Sequence, residues 1–442
     1  MTTTPPARRR VHPAWLVAAV AFVALLGAAG FRAAPGVLMV PLQDEFGWSR
    51  GTLSTAVGVN LVLFGLTAPF AAALMDRFGL RRVTACALVL IAAGSGLTVF
   101  VQASWQLVLT WGVMVGLGTG SMALVFAATV AQRWFVKRRG LVTGILTAGS
   151  ATGQLVFLPV VAVVSAHVGW RAASLVIAAA ALAVVPLVLL VLRDHPADLG
   201  VTAYGADEPL DPARDEDVCP VVESDQVPAV AQPGAARLAL TALRDASRSR
   251  TFWALMAGFA ICGATTNGLI GTHFVPAAHD HGMGETTAAG LLAVVGVFDI
   301  VGTIGSGWLT DSYDPRLLLG FYYFFRGVGL ALLPALLSDA VHPSVVAFVV
   351  IYGLDWVATV PPTVALCRQA FGASGTVVFG WVFASHQVGA AIASVAAGFA
   401  RDRTGTYTVA WFSAALLCVV AAVISVRVSR TPTAPTDVTA GV

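Results

Sequence analysis

Four charges stand inside runs that are otherwise apolar: Arg32, Asp299, Arg326 and Asp355. In hydrocarbon a central charge costs at least about 2.5–3.5 kcal/mol on insertion scales, so such a residue faces a wet cavity or a partner. Each invites a different chemistry. The Arg32 guanidinium offers two parallel donors, the geometry that grips a carboxylate; the plainer alternatives are snorkelling toward the surface or a structural pair. Asp299 lies between Phe298 and Ile300. Low-dielectric surroundings favour a neutral carboxyl, and a group held in that balance loads a proton on one side and releases it on the other. Its alternative is a static pair with Arg326 or Arg32. Arg326 and Asp355, of opposite sign in consecutive runs, read as a structural or gating pair that fixes one arrangement more than it adds stability.

Neutral polar residues complete the candidate set. Asn60, Gln154, Asn267, His386 and Gln387 are candidate ligand contacts, with His273 beside them. His386 is suited to binding or proton carriage, or to one interhelical hydrogen bond worth about 0.6 kcal/mol. Asn60 and Gln154 are residues that more often join helices than bind a ligand. Cys86, Cys219, Cys262, Cys367 and Cys418 have no metal or pairing pattern and mostly sit in apolar runs, where they act as small hydrophobes. No cofactor, metal site or disulfide is expected. No nucleophile–base set supports catalysis.

The elements that must hold these residues follow from composition. Of 442 residues, 57% are hydrophobic and 11% charged, and mean hydropathy is +0.82. Soluble domains carry about 25% charged residues. Between Arg193 and Arg250 lie 11 of the 23 acids and 6 of the 26 bases, which leaves the remainder nearly uncharged. A bilayer accommodates that balance, at roughly 20 apolar residues per spanning helix. Twelve spans are predicted, near 14–38, 52–75, 83–101, 105–131, 140–165 and 170–192, then 251–275, 287–310, 317–336, 343–366, 375–400 and 406–427. The first is too long for a cleaved leader. The chain divides into an N-terminal tail (1–13), a six-helix bundle (14–192), a Pro- and acid-rich linker (193–250) expected to be mostly disordered, a second six-helix bundle (251–428) and a C-terminal tail (429–442).

Arginine placement sets the expected orientation. With the N-terminus in the cytoplasm, 20 Lys and Arg residues fall inside and four (Arg50, Arg171, Arg401, Arg403) outside, so both tails and the linker are expected to be cytoplasmic. Basic residues flank apolar runs, which argues against nucleic acid as a partner. The glycines Gly112, Gly116, Gly118 and Gly120 lie within a span, with no preceding strand, and are no dinucleotide fingerprint. They and the helix-five glycines read as close-packing positions. Pro69, Pro159 and Pro361-Pro362 are expected to kink their helices.

The two halves repeat. Asp76 corresponds to Asp311 at an offset of 235, and Gly144, Gly153 and Gly169 correspond to Gly380, Gly389 and Gly405 at 236. The segment Ala72-x-Leu74-x-Asp76-Arg77-x-Gly79-x-Arg81-Arg82 resembles the loop 2–3 signature of the major facilitator superfamily, with alanine in place of its first glycine. Arg133-Trp134-Phe135 with Arg138-Arg139-Gly140-Leu141, Phe31-Arg32-x-x-Pro35-Gly36, Phe298-Asp299 and Gly353-Leu354-Asp355-Trp356 are similar to segments of bacterial monocarboxylate-porter-like members. The chain departs from the animal pattern at Gly36, where a lysine would stand, and at Thr303, where an arginine would follow Asp299.

The resemblance implies an all-α integral membrane fold of twelve helices in two pseudo-symmetric six-helix halves. It implies a monomeric secondary transporter of the bacterial inner membrane. Its expected partners are a small organic anion such as a monocarboxylate, protons and the lipid bilayer. Arg32, Asn60, Gln154, Asn267, His386 and Gln387 are then expected to bind substrate, and Asp299 to couple the proton. Asp76, Arg77, Arg81, Arg82, Asp311, Arg326 and Asp355 are expected to gate or brace. A facilitator-type exporter of drugs or uncharged metabolites, and a non-transporting sensor, are the alternative readings.

Overall fold

The computed structural model describes residues 12–122, 124–206 and 235–428. Twelve long helices and one short one make up the described chain. In the first half they are α1 (Pro13–Phe46), α2 (Arg50–Phe78), α3 (Leu80–Phe100), α4 (Ser104–Trp134), α5 (Arg139–His167) and α6 (Trp170–Val191). The short helix α7 (Ala235–Ala246) precedes the second half. That half holds α8 (Arg250–Asp280), α9 (Glu285–Ser312), α10 (Pro315–Leu336), α11 (Pro343–Phe371), α12 (Gly375–Thr404) and α13 (Thr408–Arg427). Eleven are apolar and long enough to cross a bilayer by length and composition; α5, with 29 residues, is the twelfth long helix. Large apolar side chains such as Leu190, Ile304, Phe321 and Leu416 are more than half exposed, a surface suited to lipid.

Local chemistry sets the helix ends. Ser49 caps α2 by accepting from the Thr52 N–H at 3.2 Å. Asp314 caps α10 and pairs with Arg316 at 2.6 Å. Between α2 and α3, Gly79 has φ +88°, and a Cβ there would lie 2.5 Å from Asp194 Oδ2, so both backbone and space call for glycine.

The sequence repeat has a packing counterpart. A Cβ on Gly153 of α5 would meet the Leu26 carbonyl of α1 at 2.7 Å, and one on Gly389 of α12 would meet the Ala260 carbonyl of α8 at 2.0 Å. Each is the fifth long helix of its half lying against the first. Gly144 and Gly380 have nothing within 4 Å at their Cβ positions. The halves meet along α2 and α12: Gly51 faces Phe399, Gly58 faces Val395, Gly65 faces Gln387, and Phe70 lies edge-on to Trp381.

Pro69 and Pro159 sit within continuous helices, while α11 is interrupted between Asp355 and Val360, with Pro361 and Pro362 opening its second segment. The linker was expected to be mostly disordered, yet its described ends are built. Tyr204 exchanges backbone bonds with Trp134 and Val136 and sets its ring against Trp15 and Phe135. Helix α7 buries Ala239, Ala242 and Ala246. Averaging composition over the whole linker hid these two anchored ends.

Candidate functional site

A narrow cleft lies where the halves meet, bounded by α1, α2, α4, α8 and α12. Its volume is about 50 Å³. Phe31, Pro35, Val57, Leu61 and Phe64 give it apolar walls. Its polar lining is Asn60, Thr119, Asn267, Thr272 and Gln387. Thus three of the residues singled out from sequence, Asn60, Asn267 and Gln387, come together from α2, α8 and α12. The two threonines were not singled out, because a hydroxyl in an apolar helix normally bonds its own backbone, as both do: Thr119 to Val115 and Thr272 to Asn267.

Widened turns shape this lining. Residues Val108–Val115 of α4 and Ala264–Ile270 of α8 are π-helical. A wide turn takes carbonyls out of the i→i−4 ladder and re-aims side chains, and such bulges recur at functional sites. Asn60 donates to the Trp111 carbonyl in the α4 turn at 2.7 Å, which holds its amide in place beside the cleft. The α8 turn places Asn267 in the lining. Gln387 is 1% exposed, and its Oε1 has no protein partner.

The backbone of Arg32 lies in α1, between the cleft residues Phe31 and Pro35; its side chain is outside the described residues. The same holds for Gln154 of α5, which follows Gly153 and precedes Leu155. His386 is buried against Phe259 and Phe383, with ring centroids at 4.9 and 6.0 Å, and is absent from the described lining of the cleft. One residue along α12 turns a side chain by 100°, so His386 faces α8 while Gln387 faces the cleft.

A second, smaller cleft separates α5 from α9 and α11. Leu155, Leu292, Val295, Asp299 and Trp356 are among its walls. Here Asp299 serves the interrupted α11: its Oδ1 accepts from the Val357 N–H at 3.0 Å and from the Thr303 hydroxyl at 3.1 Å. Arg326 serves the same break from the other side. It pairs with Asp355 Oδ2 at 2.6 Å and donates to the Asp355 carbonyl at 2.6 Å and the Trp356 carbonyl at 3.3 Å. Ser306 takes the Ala358 carbonyl at 2.5 Å. A helix break in an apolar interior leaves backbone groups that must be satisfied; two side chains from α9, Asp299 and Ser306, and one from α10, Arg326, do so.

At the linker end, Asp76 pairs with Arg133 at 2.5 Å, and Asp194 accepts from the Arg81 N–H at 2.9 Å. Arg77 and Arg82 are exposed, and Arg81 is half-buried. Asp311, the counterpart of Asp76, is exposed. The repeat in sequence is therefore asymmetric in contact: Asp76 pairs with Arg133, whereas no ion pair to Asp311 is found among the described residues.

The family model described as Major Facilitator Superfamily matches residues 20–378. The chain belongs to the Major Facilitator Superfamily. Among curated relatives, an uncharacterized MFS-type transporter, YcxA of Bacillus subtilis, is 25% identical over 89% of this chain and 90% of its own length. Monocarboxylate transporter 13 of Bos taurus is 27% identical over 89% of this chain and 84% of its own. Solved structures share the fold: a bacterial homolog of the human lysosomal transporter Spinster, inward-facing and unoccupied, aligns over 97% of this chain and 98% of its own, with TM-score 0.71 and 15% identity. The inward-open xylose transporter XylE from E. coli aligns over 94% and 96%, with TM-score 0.67 and 14% identity. This superfamily member is a membrane-embedded, multi-pass transporter of a small molecule and not an enzyme.

Proposed function

We propose that this superfamily member is a proton-coupled symporter of a small organic anion such as a monocarboxylate. The observation that carries the reading is the cleft between the halves, where three amides from α2, α8 and α12 meet beside the turn of α1 that bears Arg32. The monocarboxylate transporter relatives support the substrate class. On this reading Arg32 grips the carboxylate through paired hydrogen bonds. Asn60, Asn267 and Gln387 orient the remainder, and Phe31 and Phe64 enclose it. Asp299 holds the break in α11 through Oδ1 and takes the proton on Oδ2. Rocking of the halves about the cleft exposes it to each side in turn. The 20-to-4 arginine and lysine split supports cytoplasmic tails and linker in a bacterial inner membrane, and the chain acts as a monomer.

Purified protein in proteoliposomes tests this. Lactate, pyruvate, formate and dicarboxylates are offered with and without an imposed pH gradient. Gradient-driven carboxylate uptake is expected, abolished by Arg32→Gln and uncoupled from the gradient by Asp299→Asn. Absence of any carboxylate flux sinks the anion reading, and gradient-driven flux that survives Asp299→Asn removes that residue from coupling. The described lining of the central cleft has amides and hydroxyls but no charge, which favours, as a second reading, a facilitator-type exporter of uncharged metabolites; transport indifferent to Arg32→Gln would select it.

A further inference from the structure

The end of the bundle opposite the linker is held shut by one arginine. Arg50, the first residue of α2, is 4% exposed. Its Nε donates to Gln43 of α1 at 2.8 Å. Its other two nitrogens cross to the second half: Nη2 to Asp280 at the end of α8 at 2.9 Å, and Nη1 to the Tyr407 hydroxyl before α13 at 3.0 Å. Asp280 is held in turn by Arg401 of α12 at 2.7 Å.

The backbone of the same residue crosses as well. Asp402, at the end of α12, accepts from the Arg50 N–H at 3.0 Å and from the Gly51 N–H at 2.8 Å. The first N–H groups of a helix have no intrahelical partner, and the terminus carries partial positive charge. Ser49 meets one of them from its own half; the opposite half supplies the rest of the cap. Close packing completes the seam: a Cβ on Gly398 would lie 2.8 Å from the Arg50 carbonyl.

Behind Arg50 the polarity of the chain is fixed. A guanidinium only donates, so Tyr407 accepts from it and has its own proton for His273 Nδ1 at 3.1 Å. His273 is left with Nε2–H, which meets the Ser394 carbonyl of α12 at 2.8 Å. Burial pushes the Tyr407 phenol up to about 12, so it remains a proton-bearing link.

We infer that Arg50, with Asp402 and Asp280, is an interhalf bolt that makes closure of this end the resting state of the empty transporter. It rests on the alternating-access part of the proposed function and not on the substrate. When this end opens, Arg50 and both aspartates part together, and the α2 terminus loses the cap supplied by Asp402. Closing restores all of these bonds at once with no substrate contact involved.

Distances between spin labels, read by double electron–electron resonance in substrate-free proteoliposomes, test the bolt. Labels at Val168→Cys and Val341→Cys report the bolted end, and labels at Leu141→Cys and Tyr313→Cys report the linker end, in a Cys86→Ser, Cys219→Ser background. The unaltered bolt is expected to give one dominant short distance at the bolted end. Asp402→Asn and Asp280→Asn should each move most of the population to a longer distance there and shorten the linker-end pair. Should either fail to yield monodisperse protein, Tyr407→Phe, which removes only the Arg50 and His273 bonds, takes its place. Unchanged distributions in the folded variants overturn the bolt. No substrate is present, so failure of the anion reading leaves this result intact, and the reverse also holds.

Discussion

Arg326 shows what a single buried charge does in this protein. It is 1% exposed and joins a carboxylate, two backbone carbonyls and the Cys262 sulfur. Removing one partner of a buried pair costs about 3–5 kcal/mol because the other charge is left alone. The two partners are not equivalent, however. Asp355→Asn leaves Arg326 with its carbonyl acceptors, whereas Arg326→Leu leaves both the Asp355 carboxylate and the carbonyls of the α11 break unmet. Arg326→Leu is therefore expected to lower the thermal midpoint, followed by size-exclusion of detergent-solubilised protein, well below that of Asp355→Asn. Equal losses would mean that the carbonyl bonds contribute nothing. This pair was legible in the sequence because opposite charges stood out in consecutive apolar runs. Arg50 was not: it lay just outside a span and counted only as one of four arginines on the sparse side. Its partners Asp280, Asp402 and Tyr407 are 230 to 357 residues away, and no local pattern announces such a meeting.

Among the elements, α9 and α11 lie closest where α11 breaks. A Cβ on Gly302 would fall 1.9 Å from the Leu354 carbonyl, and one on Gly353 would fall 2.8 Å from the Val295 carbonyl. Backbone cannot step aside as a flexible side chain can, so Gly302→Ala must separate the two helices and pull Asp299 from the Val357 N–H. Overpacking costs about 1–3 kcal/mol and sometimes more. Gly305, one turn on, has open space at its Cβ position. Gly302→Ala is expected to reduce folded yield and thermal midpoint, while Gly305→Ala matches the parent in both measurements. A tolerant Gly302→Ala would show that the approach is looser than described. Span lengths fixed the helices from sequence, since 20-residue apolar runs have few other uses. The break in α11 was foreshadowed only as a kink at Pro361-Pro362. Proline marks where a helix can restart, and side chains of α9 and α10, remote in sequence, determine that the preceding turn stays open.

At the level of the whole molecule, the halves are tied at both ends by different means: ions at the bolted end, and α7 at the linker end. Helix α7 touches α2 of the first half and α12 of the second, with the Trp381 indole donating to the Ala239 carbonyl at 2.8 Å. The Trp253 indole donates to the Ser247 carbonyl just beyond it, which anchors the strap to α8. Its seat is a stripe of alanines, with Arg237 and Arg244 turned outward. Small residues let the helix lie close, and a larger side chain on that stripe must lift it. At about 1–3 kcal/mol for overpacking, and a tenfold change for every 1.4 kcal/mol, Ala242→Leu is expected to raise the detached population roughly tenfold. Limited trypsinolysis of the solubilised protein reads this as faster cleavage after Arg244 and Arg248, while Thr241→Leu, on the exposed side, serves as the matched control. Equal cleavage rates for the two variants would mean that α7 is held by its covalent neighbours and not by its seat across the halves. The strap was hidden in a linker whose prolines and acids dominate its composition, because twelve well-patterned residues weigh little against the rest. On the alternating-access cycle proposed above, a helix that grips both halves gives that linker a mechanical place in transport.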